Sequence, residues 1–241
     1  MAIKDHLLQE NKVWHSGEKC LLPLKTAFLK ISDLQDILNL QSIVYETMQN
    51  KSWCSKLSEN DFISLLQDKG IILGAKVNRE LIGFYGVFFP GNDPENLGND
   101  LGLPPEEHGN ICHLEIAYVH PHYRGNGLQL FLGKAVIKAA RERRGFRYLC
   151  GTVEPANIVA LNNAMHFGLQ IVKLKEKYGG LRRFILFCDF DEDFNRLKGE
   201  PVRVDYKDIS AQQKLLDTGY RGVAAGRQED SYYIDYLRGV L

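Results

Sequence analysis

The sequence predicts a mixed α/β fold in three layers. Strand-like and helix-like segments alternate through the middle of the chain, and one long helix there is amphipathic. No apolar run reaches the roughly 20 residues that a membrane span needs. The elements follow in order. Pro23 to Lys30 (PLKTAFLK) reads as a short strand, and Asp33 supplies an N-cap for Leu34, Ile37, Leu38, Leu40 and Ile43 at helical spacing. A short helix near Asn60 to Lys69 stops at Gly70. The runs IILGAKV and ELIGFYGVFF then form a hairpin turned at Asn78 and Arg79. Pro90 to Asn110 concentrates Pro, Gly, Asn and Asp, which predicts a long acidic loop. Beyond it come the strand ICHLEIAYV, a helix from Gly127 to Arg144, the strand FRYLCGTV, a short helix from Ile158 to His166, and strands over Leu169 to Lys175 and Arg182 to Phe190. From Asp191 a charged linker leads to VRVDY, a helix near Asp208 to Thr218, and SYYIDYL. The expected division is therefore a domain over residues 1–190 and a C-terminal appendage of strand, helix and strand over 191–241.

Composition narrows the function classes. With 44% hydrophobic and 25% charged residues the chain falls in the ordinary soluble range. Thirty basic and thirty acidic residues cancel, which removes the broad positive field that nucleic-acid and acidic-membrane binders carry. The first residues, broken by Lys4, Asp5 and Glu10, do not form a secretory signal. Five scattered cysteines, none in CxxC spacing, suggest neither a disulfide framework nor a zinc site. A cytoplasmic protein without metal, nucleic-acid or membrane partners is expected.

The chemistry concentrates at HPHYRGNGLQLFLGKAVIKAARERRG, where a strand ends at Val119 and a helix begins near Gly127. Leu128, Phe131, Leu132, Ala135, Val136 and Ala139 form its apolar face, and three arginines and Gly145 suit its C-terminus. The first N–H groups of a helix lack internal partners, and the dipole there favours an anion. Gly125 and Gly127 let a phosphate approach the backbone, and Arg124 adds charge. A nucleotide P-loop would need Lys-Ser/Thr where Leu128-Gln129 stands, and a dinucleotide loop would need glycine where Leu130 stands.

The segment LEIAYVHPHYRGNGLQ resembles the acetyl-CoA signature of the GCN5-related N-acetyltransferase (GNAT) superfamily, Gln/Arg-x-x-Gly-x-Gly/Ala. Arg124 and Gly127 match its first and fourth positions, and Gln129 replaces the final small residue. Downstream, VEPANIVALNNAMHFGL resembles that superfamily's Asn-x-x-Ala, short helix and Gly-Phe segment. The run YGGLRR at Tyr178–Arg183 is similar to sequences of a bacterial-type subgroup. The resemblance covers roughly the middle two thirds of the chain. It implies a mostly antiparallel central sheet, splayed between two parallel strands, with acetyl-CoA as acyl donor and no metal. The backbone of Ala117, Tyr118 and Val119 would pair with the pantetheine arm. Arg124, Gly125, Asn126, Gly127, Leu128 and Gln129 would hold the pyrophosphate, and Asn157 would reach the pantetheine.

Acyl transfer to an amine requires a base, and Glu115 is the candidate: a carboxylate in an otherwise apolar strand, where the resembled superfamily often has its base. Glu107 and His113 are weaker candidates, and His113, His120 and His122 lack the spacing of a metal site. The superfamily's tyrosine acid, seven residues after the asparagine, is Ala164 here, which leaves His166, Tyr178 or solvent to protonate the thiolate. Cys112, Cys150 and Cys188 read as buried small hydrophobes, so direct attack in a ternary complex is favoured over an acylated cysteine. The expected activity is acetyl transfer to a small-molecule or peptide amine. The alternative is a non-catalytic acyl-CoA-binding sensor or assembly module, favoured by Ala164. The acidic residues Asp93, Glu95, Asp100, Glu106 and Glu107 form a candidate attraction for a cationic acceptor. Tyr232, Tyr233 and Tyr236 form a candidate cleft cover or homodimer contact, with ordinary packing as the simpler role.

Overall fold

The computed structural model describes residues 11–192 and 197–239. The reading of residues 1–10 as lacking a secretory signal, and residues 193–196 of the expected linker, lie outside those. The strands and α-helices in chain order are β1 (Lys12–His15), β2 (Cys20–Pro23), β3 (Lys25–Phe28), α1 (Leu34–Glu46), α2 (Glu59–Ser64), β4 (Gly70–Val77), β5 (Glu80–Phe88), α3 (Leu97–Leu101), β6 (Ile111–Val119), α4 (Leu128–Arg144), β7 (Tyr148–Val153), α5 (Ile158–His166), β8 (Gln170–Lys177), β9 (Leu181–Asp189), β10 (Leu197–Asp205), α6 (Ile209–Asp217), β11 (Tyr220–Gln228) and β12 (Ser231–Gly239). This is the expected mixed α/β class. Two compact units divide the described residues: 11–51, 55–89 and 114–145 form the first, and 52–54, 90–113, 146–192 and 197–239 the second.

In the first unit the sheet order is β6-β5-β4-β3, with β3, β4 and β5 antiparallel. Asn78 and Arg79, at φ 49° and 73°, make the turn between β4 and β5, as a two-residue hairpin loop with two left-handed residues requires. Strands β4 and β5 are buried along nearly their whole length, with Ile72, Ile82, Phe84 and Val87 among the least exposed residues. Helix α4 packs on β5 and β4 through Leu128, Leu132, Val136 and Ala140, with Gly133 and Ile137 beside them. The buried stripe is thus rotated from the expected one, and Phe131, Ala135 and Ala139 flank it. Glycines in the left-handed region close both ends of this helix, Gly127 at φ 77° and Gly145 at φ 63°. The hairpin β1–β2 was not expected; it pairs Lys12 to His15 with Cys20 to Pro23.

In the second unit the order is β10-β12-β11-β8-β9-β7, each neighbouring pair antiparallel. The segment 90–110 is not wholly irregular, because α3, capped by the Asn96 side chain and ended by left-handed Gly102, interrupts it. Its apolar side, Leu97 with Leu101 and Leu103, packs with Ile111, Tyr148, Cys150 and Ile185. After residue 191 the structure has three strands rather than two, since β11 lies between β8 and β12. Tyr236 is buried with its hydroxyl donating to Gln212 Oε1 at 2.8 Å, Tyr233 lies under the Arg203 guanidinium, and Tyr232 packs edge-on against Tyr206. Tyr236 is therefore a core residue, whereas Tyr232 remains 38% exposed.

Candidate active site

The turn from β6 into α4 is held open by its own frame. Pro121–Tyr123 forms one 3-10 turn, with the Tyr123 N–H donating to His120 O at 2.9 Å. Gly125 and Gly127 then take φ 75° and 77°, values that L side chains adopt at a cost. The first helical bond runs from Phe131 N–H to Gly127 O at 3.0 Å, and no side chain caps the helix start. No acidic residue occupies its first turn. The leading N–H groups of α4 therefore point out of the turn with the positive end of the helix dipole behind them. Arg124 is exposed beside them, its Nη2 donating to Thr47 Oγ1 at 3.4 Å.

Asn126, expected as a phosphate contact, has a different side-chain role. It is 2% exposed, its Nδ2 donates to Trp14 O and Tyr123 O, each at 2.9 Å, and its Oδ1 accepts the Trp14 N–H at 3.1 Å. Three bonds to main chain fix the loop to β1, and only its backbone faces the open turn. The Ser16 N–H donates to His122 O at 2.9 Å and braces the same junction. His15 and His122 stack with ring centroids 5.0 Å apart, and His120 and Tyr123 complete the cluster. Burial and the neighbouring His122 hold the His120 imidazole below its ordinary pKa. Leu128 is buried as a core residue, and Gln129 is half-buried at the helix start. Gly83 on β5 is a positioning residue that sequence reasoning missed: a Cβ there would lie 3.1 Å from Leu128 and 3.2 Å from Tyr118 O, so its absence seats the first turn of α4 on the sheet.

On β6, Glu115, Ala117 and Val119 share one face and are half-buried, whereas Ile116 and Tyr118 point into the core. The Tyr118 hydroxyl donates to Gln41 Oε1 at 3.4 Å, so its side chain is structural.

In the second unit Asn157 caps α5, its Oδ1 accepting the Ala160 N–H at 3.1 Å. Ala164 is buried. His166 bonds its own helix through Nδ1, 2.7 Å from Asn162 O, and the Tyr178 hydroxyl lies 3.3 Å from Thr152 Oγ1. His113 is 6% exposed and accepts the Leu97 N–H at Nε2, 3.2 Å away; burial lowers its pKa to about 3, which fixes it as a neutral structural group. Cys112 and Cys150 are buried, and burial pushes both thiols well above their ordinary range, against a nucleophilic role. Part of the acidic segment is paired within the unit. Asp100 receives the ammonium groups of Lys175 and Lys177 at 2.8 Å each, and Lys173 donates to its carbonyl. Lys177 also pairs with Glu95 at 3.4 Å, and Glu107 accepts from Asn110 at 2.9 Å. Of the five acids, Asp100 and Glu95 are thus paired with lysines, whereas Glu107 meets a neutral amide. Among the described residues, no group of three or more His, Cys, Asp or Glu is arranged to hold a metal ion, and no helix is long and apolar enough to cross a membrane.

A strand, an open glycine turn and an uncapped amphipathic helix together leave helix N–H groups in a geometry suited to an anion. The acetyltransferase (GNAT) family model matches residues 34–168, more than half the chain, and the protein belongs to that family. Its chemistry is accordingly acyl transfer. The ribosomal-protein-S18-alanine N-acetyltransferase of Escherichia coli aligns over 73% of this chain and 99% of its own, at 15% identity and TM-score 0.53. An N-acetyltransferase from Staphylococcus aureus Mu50 aligns over 70% and 99%, at 18% and 0.52. Arabidopsis thaliana NAA60 in complex with acetyl-CoA aligns over 70% and 99%, at 14% and 0.55. At such identities the likeness is one of fold. No curated protein sequence matches the chain.

Proposed function

We propose that the protein transfers an acetyl group from acetyl-CoA to a primary amine by direct attack within a ternary complex. The observation that carries this reading is the start of α4: unfilled N–H donors, no cap, no acid, two left-handed glycines and a frame locked by Asn126. Such a start fits a pyrophosphate, with Arg124 supplying a mobile positive charge and Gly125 to Gln129 the main-chain donors. The backbone of Ala117, Tyr118 and Val119 is proposed to align the pantetheine arm, and the Asn157 side chain to reach it. Bound acetyl-CoA supplies a thioester carbonyl and a stable thiolate leaving group.

Glu115 is proposed as the base. It sits on the same face of β6 as Ala117 and Val119, and it would take a proton from the ammonium of the acceptor before attack. With Ala164 at the family's tyrosine position and His166 bonded to its own helix, solvent or the Tyr178 hydroxyl returns a proton to sulfur. The five cysteines are all free, which suits a cytoplasmic setting. Calorimetric titration of coenzyme A tests the reading: micromolar binding that vanishes in Arg124→Ala combined with Gly127→Glu is expected, and no binding by the intact chain would remove it.

Ala164 favours a second reading, a non-catalytic acyl-CoA sensor. Thiol release from acetyl-CoA across a panel of amines separates the two, since retained binding with zero turnover selects the sensor.

A further inference from the structure

Arg183 on β9 is 4% exposed, yet among the described residues no carboxylate lies within ion-pair distance of it. Its guanidinium donates to two main-chain carbonyls, Arg182 O at 3.0 Å and Ser52 O at 2.7 Å. A guanidinium has five N–H donors, so these contacts leave several unused, and a buried unpaired cation is costly. Burial accordingly lowers its pKa from the ordinary value. The nearest acid in electrostatic reach, Glu154, accepts the Ala156 N–H at 2.8 Å instead.

The main-chain segment that Arg183 grips carries a second unsatisfied donor. Trp53, next to Ser52, has a buried indole N–H with no acceptor. Buried N–H groups without partners are rare, because each loses its hydration without compensation. Close by in the same unit, the β8–β9 turn holds Tyr178 at φ 53°, ahead of Gly179 and Gly180 at φ 81° and 97°. Its ring is exposed, and its hydroxyl sits beside that of Thr152. Two buried donors, the Arg183 guanidinium and the Trp53 indole N–H, thus lack a full set of partners here.

We propose that this corner binds a carboxylate through Arg183 and the Trp53 N–H, and that the amine acceptor is therefore a small amino acid-like molecule bearing both groups. The inference rests on the acetyl-transfer reading for the word acceptor, but the carboxylate site stands on its own donors. A planar two-oxygen ligand matches the unused edge of one guanidinium better than a point anion does.

The test is direct binding, which does not depend on turnover. Saturation-transfer NMR on the full chain is run with each of the twenty L-amino acids, then with the carboxamide of every binder, and with inorganic phosphate as competitor. At least one amino acid is expected to bind, its carboxamide at least about tenfold more weakly, the loss of a charge-assisted pair. Arg183→Gln should erase that preference and Arg183→Lys should reduce it, with a coenzyme A titration as the fold control for both. Equal binding of acid and amide, phosphate displacing the amino acid at lower concentration, or no amino acid binding at all would overturn the proposal. Any of these beside intact coenzyme A binding leaves the transfer reading standing, whereas loss of coenzyme A binding by the intact chain strikes that reading instead.

Discussion

The two compact units differ in the polar groups they bury. The first buries neutral amides and satisfies them. Gln41 exchanges two bonds with the Leu57 main chain and accepts from Tyr118, and Asn126 makes its three bonds to Trp14 and Tyr123. Its unfilled donors stand at the surface, at the start of α4. The second unit buries amides as well, Asn96, Gln170 and Gln212, and adds titratable groups: neutral His113, Arg183 without an ion-pair partner among the described residues, and Asp189, held below the ordinary carboxylate range despite burial because Arg147 forks onto it at 2.7 and 2.9 Å. Satisfied amides freeze a frame and do not respond to pH. Buried titratable groups tie the fold, and any ligand they meet, to protonation.

The largest expected effect follows from His113. Its folded pKa, about 3, lies below the ordinary 6.5, so the unfolded chain binds the extra proton. Its contribution is complete above pH 6.5 and is lost as pH falls from 6.5 toward 3, up to roughly 5 kcal/mol in all at 1.36 kcal/mol per unit. Urea unfolding at pH 7.5, 6, 5 and 4 should show this slope. His113→Gln keeps an acceptor for Leu97 N–H but cannot titrate, so it should flatten the slope; an unchanged slope would clear His113 of the role.

The next effect lies in the first unit and tests whether an open helix start is what separates it from the second. Gly127→Asp would give α4 the side-chain cap that Ser58, Asn157 and Asp208 give α2, α5 and α6. Stability should change by about 1 kcal/mol or less, the cap offsetting strain at φ 77°. Coenzyme A affinity should fall at least about 100-fold, roughly 2.7 kcal/mol, because a carboxylate then fills the anion position. Calorimetry that finds affinity within threefold would place the pyrophosphate elsewhere.

How much of this was legible in the sequence divides along similar lines. Helix α4, its bounding glycines and the Asn78-Arg79 turn are local features, set by periodicity and by residues that tolerate positive φ. The β1–β2 hairpin is not local. Its strands are four residues long with Trp14 and Leu21 exposed, and the bonds that hold it come from Asn126, 112 positions away. Strand β11 was hidden by composition, since GVAAG carries a single β-branched residue, Val223, among glycines and alanines. Gly222 leaves room for Ile171, whose Cδ1 a Cβ would approach at 2.7 Å, and Gly226 lies under the Tyr233 ring. At the site the glycine turn was legible as a motif. The internal duties of the Asn126 and Asn157 side chains were not, and neither was the seat that Gly83 provides for α4.

Asn126→Ala should be the next smaller effect, costing about 2 kcal/mol because Trp14 N–H, Trp14 O and Tyr123 O lose partners together. Proteolysis should then cut within residues 11–24 at conditions that spare the parent chain. If the hairpin stays protected, the frame does not depend on that amide.

The smallest effect distinguishes two duties of one side chain. Asn157→Ala removes the Ala160 N–H cap and should cost about 1 kcal/mol in urea unfolding, as N-cap deletions do. Its oxygen is already used by the helix, so a pantetheine contact would have to come from the amide nitrogen. Asn157→Asp keeps the cap oxygen and removes that donor. If the nitrogen serves the coenzyme, both variants lose coenzyme A affinity by a similar five- to tenfold, about 1 kcal/mol, while only the alanine form loses stability. If affinity follows stability instead, with the aspartate form binding as the parent does, Asn157 is a cap alone, and coenzyme A recognition rests on the open end of α4 and the β6 backbone.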